Sequence, residues 1–262
     1  AALELVGQPG TLALAGGAAT FGTFDLPYET IVDLQHIPEL HRLEAAGDGW
    51  FIGAACTLEQ VTAVPGLPDA LRRSLTRAVP LNVRNGATVG ESLLQSTRFP
   101  DWITALLAHD VAVHLWVPSG DESLFAITDA LLQGAEYDLH QGIIGGITIP
   151  PLEAGEALGT AVVARTPAGA PLVSAAVFIR LDENGRIETS FPALYGATAA
   201  PFAVVSLPLT GQPLDEPAIQ HAVEQLTGLN PISDSTASAE YRAEMAHVLL
   251  RRALLDCRDQ LL

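Results

Sequence analysis

Leu14-Ala15-Gly16-Gly17-Ala18-Ala19-Thr20 closes a short apolar run, Leu12 to Ala15, that reads as a β-strand. Two glycines at a strand end present consecutive backbone N–H groups with no bulky side chain in the way. Such a turn wraps a phosphate or simply reverses the chain, and the stretch alone leaves both roles open. A second glycine-bearing stretch, Asn82-Val83-Arg84-Asn85-Gly86-Ala87-Thr88-Val89-Gly90-Glu91-Ser92, reads as another loop. Its Arg84, Thr88 and Gly90 suit an anion, whereas Glu91 does not. Neither stretch carries the Gly-x-Gly-x-x-Gly turn of a dinucleotide fold.

Outward from these loops the first half alternates short β-like runs with amphipathic helices. Ile31-Val32-Asp33-Leu34 and Trp50-Phe51-Ile52-Gly53 read as strands, as does Val111 to Val117. Between Asp69 and Val79, Leu71, Leu75, Ala78 and Val79 share one helical face. Another helix is expected from Asp101, with Trp102, Ala105, Leu106 and His109 at helical spacing. Around Ile149-Pro150-Pro151 to Gly159 the chain turns rich in Pro, Gly and Glu, which suggests a domain boundary. Beyond it, Leu172 to Leu181 is expected as a long strand. Asp182-Glu183-Asn184-Gly185 has hairpin-turn chemistry. Ile187 begins a return strand, and Pro192 to Gly196 is read as a third. Two helices close the chain: one after Asp215-Glu216-Pro217, the other from about Ser238 to Cys257, with Tyr241, Met245, Val248 and Leu249 expected on its inner face.

The charge excludes several functions. Thirteen basic residues, all arginine, face thirty acidic ones across 262 residues, for a net charge of −17. That field repels nucleic acid and anionic lipid. Without lysine there is no Walker-type phosphate loop, Schiff base or lysine general base. No apolar run is long enough for a membrane span, and the first residues lack the pattern of a signal peptide, so a soluble, cytoplasmic protein is expected. Cys56 and Cys257 are the only two cysteines and cannot hold an iron–sulfur cluster by themselves. The His36/His41 and His109/His114 pairs lack metal-ligand spacing, so no metal site is expected. Gly90-Glu91-Ser92 begins like a nucleophile elbow without its closing glycine.

Taken together, the motifs resemble the FAD-binding medium subunit of the molybdenum hydroxylases, the carbon monoxide dehydrogenase and xanthine dehydrogenase type. Ala15-Gly16-Gly17-Ala18-Ala19 is similar to the family's first glycine loop. Ile31 to Leu34, Ile37-Pro38-Glu39-Leu40 and Ile52-Gly53-Ala54-Ala55-Cys56-Thr57 match the segments that follow it. Val83 to Asp101 is similar to the second loop. Leu209-Thr210-Gly211-Gln212-Pro213-Leu214-Asp215, Pro231-Ile232-Ser233-Asp234 and Ser238-Ala239-Glu240-Tyr241-Arg242 resemble the C-terminal signature. The resemblance implies an α+β chain. Residues 1–150 would form a two-lobed FAD-binding domain of the p-cresol methylhydroxylase/molybdopterin-dehydrogenase type, with lobes of about 1–60 and 61–150. Residues 158–262 would form a small α+β domain with a three-stranded antiparallel sheet and helices.

It further implies FAD held by Gly16, Gly17, Ala18, Ala19, Thr88, Gly90, Ser92 and Asp101. Electrons would come from an iron–sulfur subunit, a molybdopterin subunit would perform the substrate chemistry, and the flavin would pass electrons to an external acceptor. The departures from the family pattern lie at the cofactor. Ala18 and Ala19 replace Thr and Asp, Glu91 and Ser92 replace Gly and Asn, and Arg98 stands where proline is usual. Arg98 is placed to neutralise Glu91 or to pair with the phosphate. Asp101 reads equally as a helix cap and as a cofactor ligand. Two functions follow: an FAD-dependent electron-transfer subunit, or a flavin-free relative that keeps the fold as a scaffold or assembly subunit.

Overall fold

The computed structural model describes residues 2–17, 29–47, 49–132, 139, 142–166 and 169–261. They form two compact units: residues 1–67, 79–99 and 110–151 in the first, and residues 68–78, 100–109 and 152–262 in the second. In chain order α1 (Ala2–Val6), β1 (Thr11–Leu14), β2 (Thr30–Asp33), β3 (Leu43–Ala46) and β4 (Gly49–Gly53) come first. The helices α2 (Leu58–Thr62), α3 (Asp69–Ala78), α4 (Leu81–Arg84), α5 (Val89–Leu94) and α6 (Pro100–Ala108) follow. Next are β5 (Ala112–Trp116), β6 (Glu122–Ala126), α7 (Ile127–Leu132) and β7 (Ile143–Ile149). The chain ends with β8 (Glu156–Ala164), β9 (Pro171–Leu181), β10 (Ile187–Tyr195), β11 (Phe202–Val204), α8 (Glu216–Glu224) and α9 (Ala239–Leu261).

In the first unit β1 and β2 pair in parallel, Thr11 opposite Thr30. Parallel neighbours need a crossover, and residues 18–28 within it lie outside the described residues. The remaining strands form an antiparallel sheet in the order β3-β4-β7-β5-β6. Its central strand is β7, whose isoleucines are buried. Gly145-Gly146 interrupts its β-branched run, so no periodic signal marks this strand in the sequence. The second glycine stretch was read as one loop but holds two helical turns, α4 and α5. Thr88 caps α5 by accepting from the Glu91 N–H at 3.3 Å, so a local hydroxyl starts a helix where glycine content suggested a loop.

In the second unit the sheet has four strands, β11-β10-β9-β8, rather than the three expected. Ile187 to Tyr195 is one strand, not two, and the Glu156–Ala164 segment, mistaken in part for linker, is the edge strand β8. Its small residues answer to packing. A Cβ on Gly159 would lie 2.0 Å from the Ala253 carbonyl oxygen and 2.9 Å from Cys257 Sγ, so α9 crosses β8 where there is no side chain. Strand β9 contacts α6 and α9, which explains its nearly continuous burial. The hairpin after it turns as expected, with Asp182 Oδ1 accepting from the Asn184 and Arg186 N–H groups. Asp215 caps α8 by accepting from the Ala218 N–H at 2.9 Å.

Helix α9 buries Leu249 as expected, but the rest of its inner face is rotated from the one expected. Arg242, Ala246, Leu249, Leu250, Ala253, Leu254 and Cys257 point inward, whereas Tyr241 is exposed and Met245 and Val248 are half-buried. The buried charge explains the rotation. Arg242 donates to the Leu172 carbonyl at 2.6 Å, to Asp234 Oδ2 at 2.7 Å and to Thr236 Oγ1 at 2.9 Å. Asp234 also accepts from the Thr236 and Ala237 N–H groups. Those bonds, led by the Thr236 contacts, hold its carboxyl well below the usual carboxylate range. The Asp234–Arg242 part of the C-terminal signature is therefore an architectural clamp.

The contact at Gly159 yields a test. Gly159→Ala places a methyl against backbone that cannot move without shifting α9. It should destabilise the protein by about 2–3 kcal/mol in urea unfolding, in line with overpacking at a rigid contact. Gly185→Ala at the hairpin turn, where nothing is nearby but φ is +72°, should cost only about 1 kcal/mol from backbone strain.

Candidate functional site

The first unit contains a cavity of about 570 Å³. Two segments meet at its wall. A Cβ on Gly16 would lie 2.3 Å from the Gly86 carbonyl oxygen, 2.8 Å from Thr88 Cγ2 and 3.0 Å from Glu91 Oε2. The first glycine loop thus lies directly against the second glycine segment. Gly17 has φ +79°, so the chain turns there as only glycine readily does.

Each side of this junction is braced. The Leu34 N–H donates to the Leu14 carbonyl at 2.8 Å, the Gln35 side chain donates to the Ala15 carbonyl, and Asp33 Oδ1 accepts from the Gln35 N–H. On the other side the Leu58, Val89 and Gly90 N–H groups donate to the Ala87, Cys56 and Ala54 carbonyls at 2.9, 3.0 and 2.9 Å. A Cβ on Gly90 would come within 3.0 Å of Ala54 Cβ, so glycine there admits close packing of α5. Thr57 and Gln60 form a capping box that anchors α2 beside the segment.

The remaining lining is mostly apolar, including Leu12, Leu14, Leu34, Leu40, Ile143 and Ile144. Glu91 also lines the cavity and is 9% exposed, its Oε2 turned toward Gly16. Arg98 lies in the lining, is exposed, and makes no ion pair among the described residues. Arg84, the cation of the second glycine segment, does not line the cavity. It donates to Glu59 Oε2 at 2.7 Å and to the Val79 carbonyl at 2.6 Å.

Of the residues singled out from sequence, Gly16, Gly17, Thr88 and Gly90 come together at the cavity. Ala18 and Ala19 lie outside the described residues. Ser92 is fully buried and its hydroxyl donates to the Val89 carbonyl at 2.7 Å, inside α5 rather than in the lining. Asp101 belongs to the second unit. Gln35, Gln95, Leu139 and Ile143–Ile144 were not singled out from sequence; no local motif marks them. No group of three or more metal-binding side chains occurs among the described residues. No helix among them is long and apolar enough to cross a membrane. His114 is held by Glu122 and Thr148, each at 2.8 Å, and meets the Phe51 ring edge-on.

With this geometry in place, comparison with known proteins identifies the class. Residues 2–152 match the FAD-binding domain in molybdopterin dehydrogenase, and residues 162–257 match the CO dehydrogenase flavoprotein C-terminal domain. The chain belongs to this family, the FAD-binding medium subunits of molybdenum hydroxylases. It is similar to the glyceraldehyde dehydrogenase medium chain of Sulfolobus acidocaldarius, at 26% identity over 95% of this chain and 91% of that protein. It is also similar to the carbon monoxide dehydrogenase medium chain of Afipia carboxidovorans, at 28% identity over 86% and 80%. In fold it resembles a chain of carbon monoxide dehydrogenase from Hydrogenophaga pseudoflava, with TM-score 0.87 and 21% identity over 99% and 94% of the two chains. Quinoline 2-oxidoreductase from Pseudomonas putida gives TM-score 0.86 at 21% identity, with the same coverage.

Asp101 has its own chemistry. It sits in the first turn of α6 and is 1% exposed. Burial raises its pKa to about 7; Arg77, the nearby Ser174 hydroxyl and Arg73 limit the rise. Neither carboxyl oxygen reaches good hydrogen-bond geometry with a partner among the described residues. Unfolded, the group ionises near its ordinary value of 3.8. The folded state therefore holds the extra proton between these values, and stability falls as pH rises from about 4 to about 7, then levels off. Asp101→Asn should flatten that slope and raise the unfolding free energy at pH 8 by roughly 4 kcal/mol. Denaturant unfolding of both proteins across this range checks it; equal slopes would refute the assignment.

Proposed function

We propose that the chain is the electron-transfer subunit that carries FAD in a molybdopterin-dependent hydroxylase. It would take electrons from an iron–sulfur subunit and deliver them to an external acceptor. The observation that carries the reading is the cavity formed where the two glycine segments touch, within a domain of the FAD-binding family. Two cysteines, both buried, leave a cysteine-ligated cluster to a partner chain. Both named relatives are medium chains, which supports membership of a multi-subunit enzyme.

The lining fits a flavin dinucleotide except at one residue. Gly16, Gly17, Thr88 and Gly90 keep the phosphate end of the cavity free of bulk, and Arg98 offers it an uncommitted guanidinium. Leu12, Leu14, Leu34 and Ile143 offer apolar wall for a ring system. When bound, FAD supplies the capacity to accept and release electrons one or two at a time. The chain positions the cofactor and excludes water from the apolar wall. Glu91 opposes it. A carboxylate ~4 Å from a phosphate charge costs on the order of 4 kcal/mol at an effective dielectric near 20. Glu91 is therefore the observation behind a second reading, a flavin-free relative retained as an assembly subunit.

Flavin released from the purified protein, quantified against protein, separates the two. About one FAD per chain supports the electron-transfer subunit. In the apoprotein, Glu91→Gln should tighten FAD binding between about tenfold and a thousandfold, the equivalent of about 1.4–4 kcal/mol. Arg98→Ala should weaken it about tenfold, the scale of one exposed charge-assisted hydrogen bond. No binding by wild type or Glu91→Gln, in a folded protein, favours the scaffold. Tight wild-type binding unaffected by Glu91→Gln would mean that the carboxylate does not face the phosphates.

A further inference from the structure

Three arginines converge at a place that the flavin cavity does not use. The cleft, of about 330 Å³, lies wholly within the second unit, over the edge strand β8. Helix α3 contributes Arg73 and Arg77, α9 contributes Arg252 and Asp256, and Thr160 to Val162 form its floor. Only Arg73 is paired, with Asp256 Oδ2 at 2.6 Å, and the same oxygen accepts from the Thr160 N–H at 3.1 Å. Arg77 and Arg252 are exposed and make no ion pair or hydrogen bond among the described residues.

This concentration is unusual in a chain of thirty acidic and thirteen basic residues. Arg73 and Arg77 are one helical turn apart on α3, where like charges destabilise a helix unless an anion lies between them. A second observation points the same way. Thr160 is 7% exposed, and its Oγ1 is buried without a hydrogen-bond partner among the described residues. A buried hydroxyl of this kind calls for an unseen acceptor, water or ion. With Asp256 as the one acidic residue in its lining against three arginines, the cleft lining is net positive.

We propose that this cleft is a binding site for a phosphate group, free or carried by a small phosphorylated metabolite, held by Arg77 and Arg252 with Arg73 and Thr160. Guanidinium forks match phosphate oxygens in geometry and charge, and arginine is the only cation this chain has for the task. The site lies in a different unit from the flavin cavity and holds whether or not flavin binds.

The test is a titration of the purified full chain with inorganic phosphate, and separately with AMP, at constant ionic strength, read by thermal unfolding and calorimetry. Wild type should gain stability with millimolar phosphate. Arg77→Ala/Arg252→Ala should lose at least about tenfold in affinity, while Arg258→Ala, which removes a positive charge elsewhere on α9, should keep the response. Arg77 also lowers the Asp101 pKa, so each protein's response is read against its own phosphate-free midpoint. Stronger stabilisation by AMP than by phosphate assigns the group to a metabolite, and the reverse to the free ion. The proposal is overturned if wild type shows no response, or if the double variant responds as wild type does. It is equally overturned if Arg98→Ala alone abolishes the response, which moves the phosphate to the first unit's cavity, or if an oligoglutamate peptide binds and phosphate does not.

Discussion

Two backbones touch at residue 16, and the first unit is organised around that contact. No side chain fits between the first glycine loop and the Gly86 carbonyl, where a Cβ would have only 2.3 Å. The loop can therefore lie flat against the segment that starts α5. Bonds from Gln35 to the loop and from the Gly90 N–H to the Ala54 carbonyl fix each side independently. The cavity is what remains beyond the contact, so its shape depends on the glycines even where they touch no ligand. Glycine at these positions has two physical explanations, cofactor access and chain packing. At Gly16 and Gly90 the packing explanation is sufficient by itself.

The second unit uses the same device with a helix in place of a loop. Gly159 lets α9 press against the backbone of β8, and the long apolar face of that helix closes over the sheet. Arg242 then locks the other end of the helix to β9 and to the Asp234 turn. A buried arginine carries a heavy desolvation cost, and four acceptors around it offset that cost. The Asp234–Arg242 part of the C-terminal signature is accounted for by these bonds.

Charge is distributed unevenly across this strongly acidic chain. Arg84 and Arg242 are committed to carboxylates and carbonyls, whereas Arg98 in one unit and Arg77 and Arg252 in the other are not. Uncommitted guanidinium groups in concave surroundings are where an anion gains most, since local pairing outweighs a long-range field that salt screens. Glu91 has the opposite sign at the wall of the first unit's cavity, and Asp101 is held in the second unit at the edge of ionisation by burial. Both acids were noticed in sequence as departures or candidate ligands. Their different surroundings give them different consequences.

The sequence by itself determined the family, the pair of glycine segments, the capped start of α8, the Asp182–Gly185 hairpin and the absence of cluster-forming cysteines. These depend on residue identity within a few positions, where backbone freedom, turn chemistry and capping act locally. Tertiary structure alone decided the rest. That β7 is central, that β8 is a strand, and that α9 buries Arg242 in place of Tyr241 all follow from contacts between segments far apart in the chain. The division of Gly16 and Asp101 between separate units is of the same kind, because α3 and α6 pack with strands that come later in the sequence. Small residues such as Gly159 carry no periodic signal, and their meaning appears only when the element that needs the space is in place.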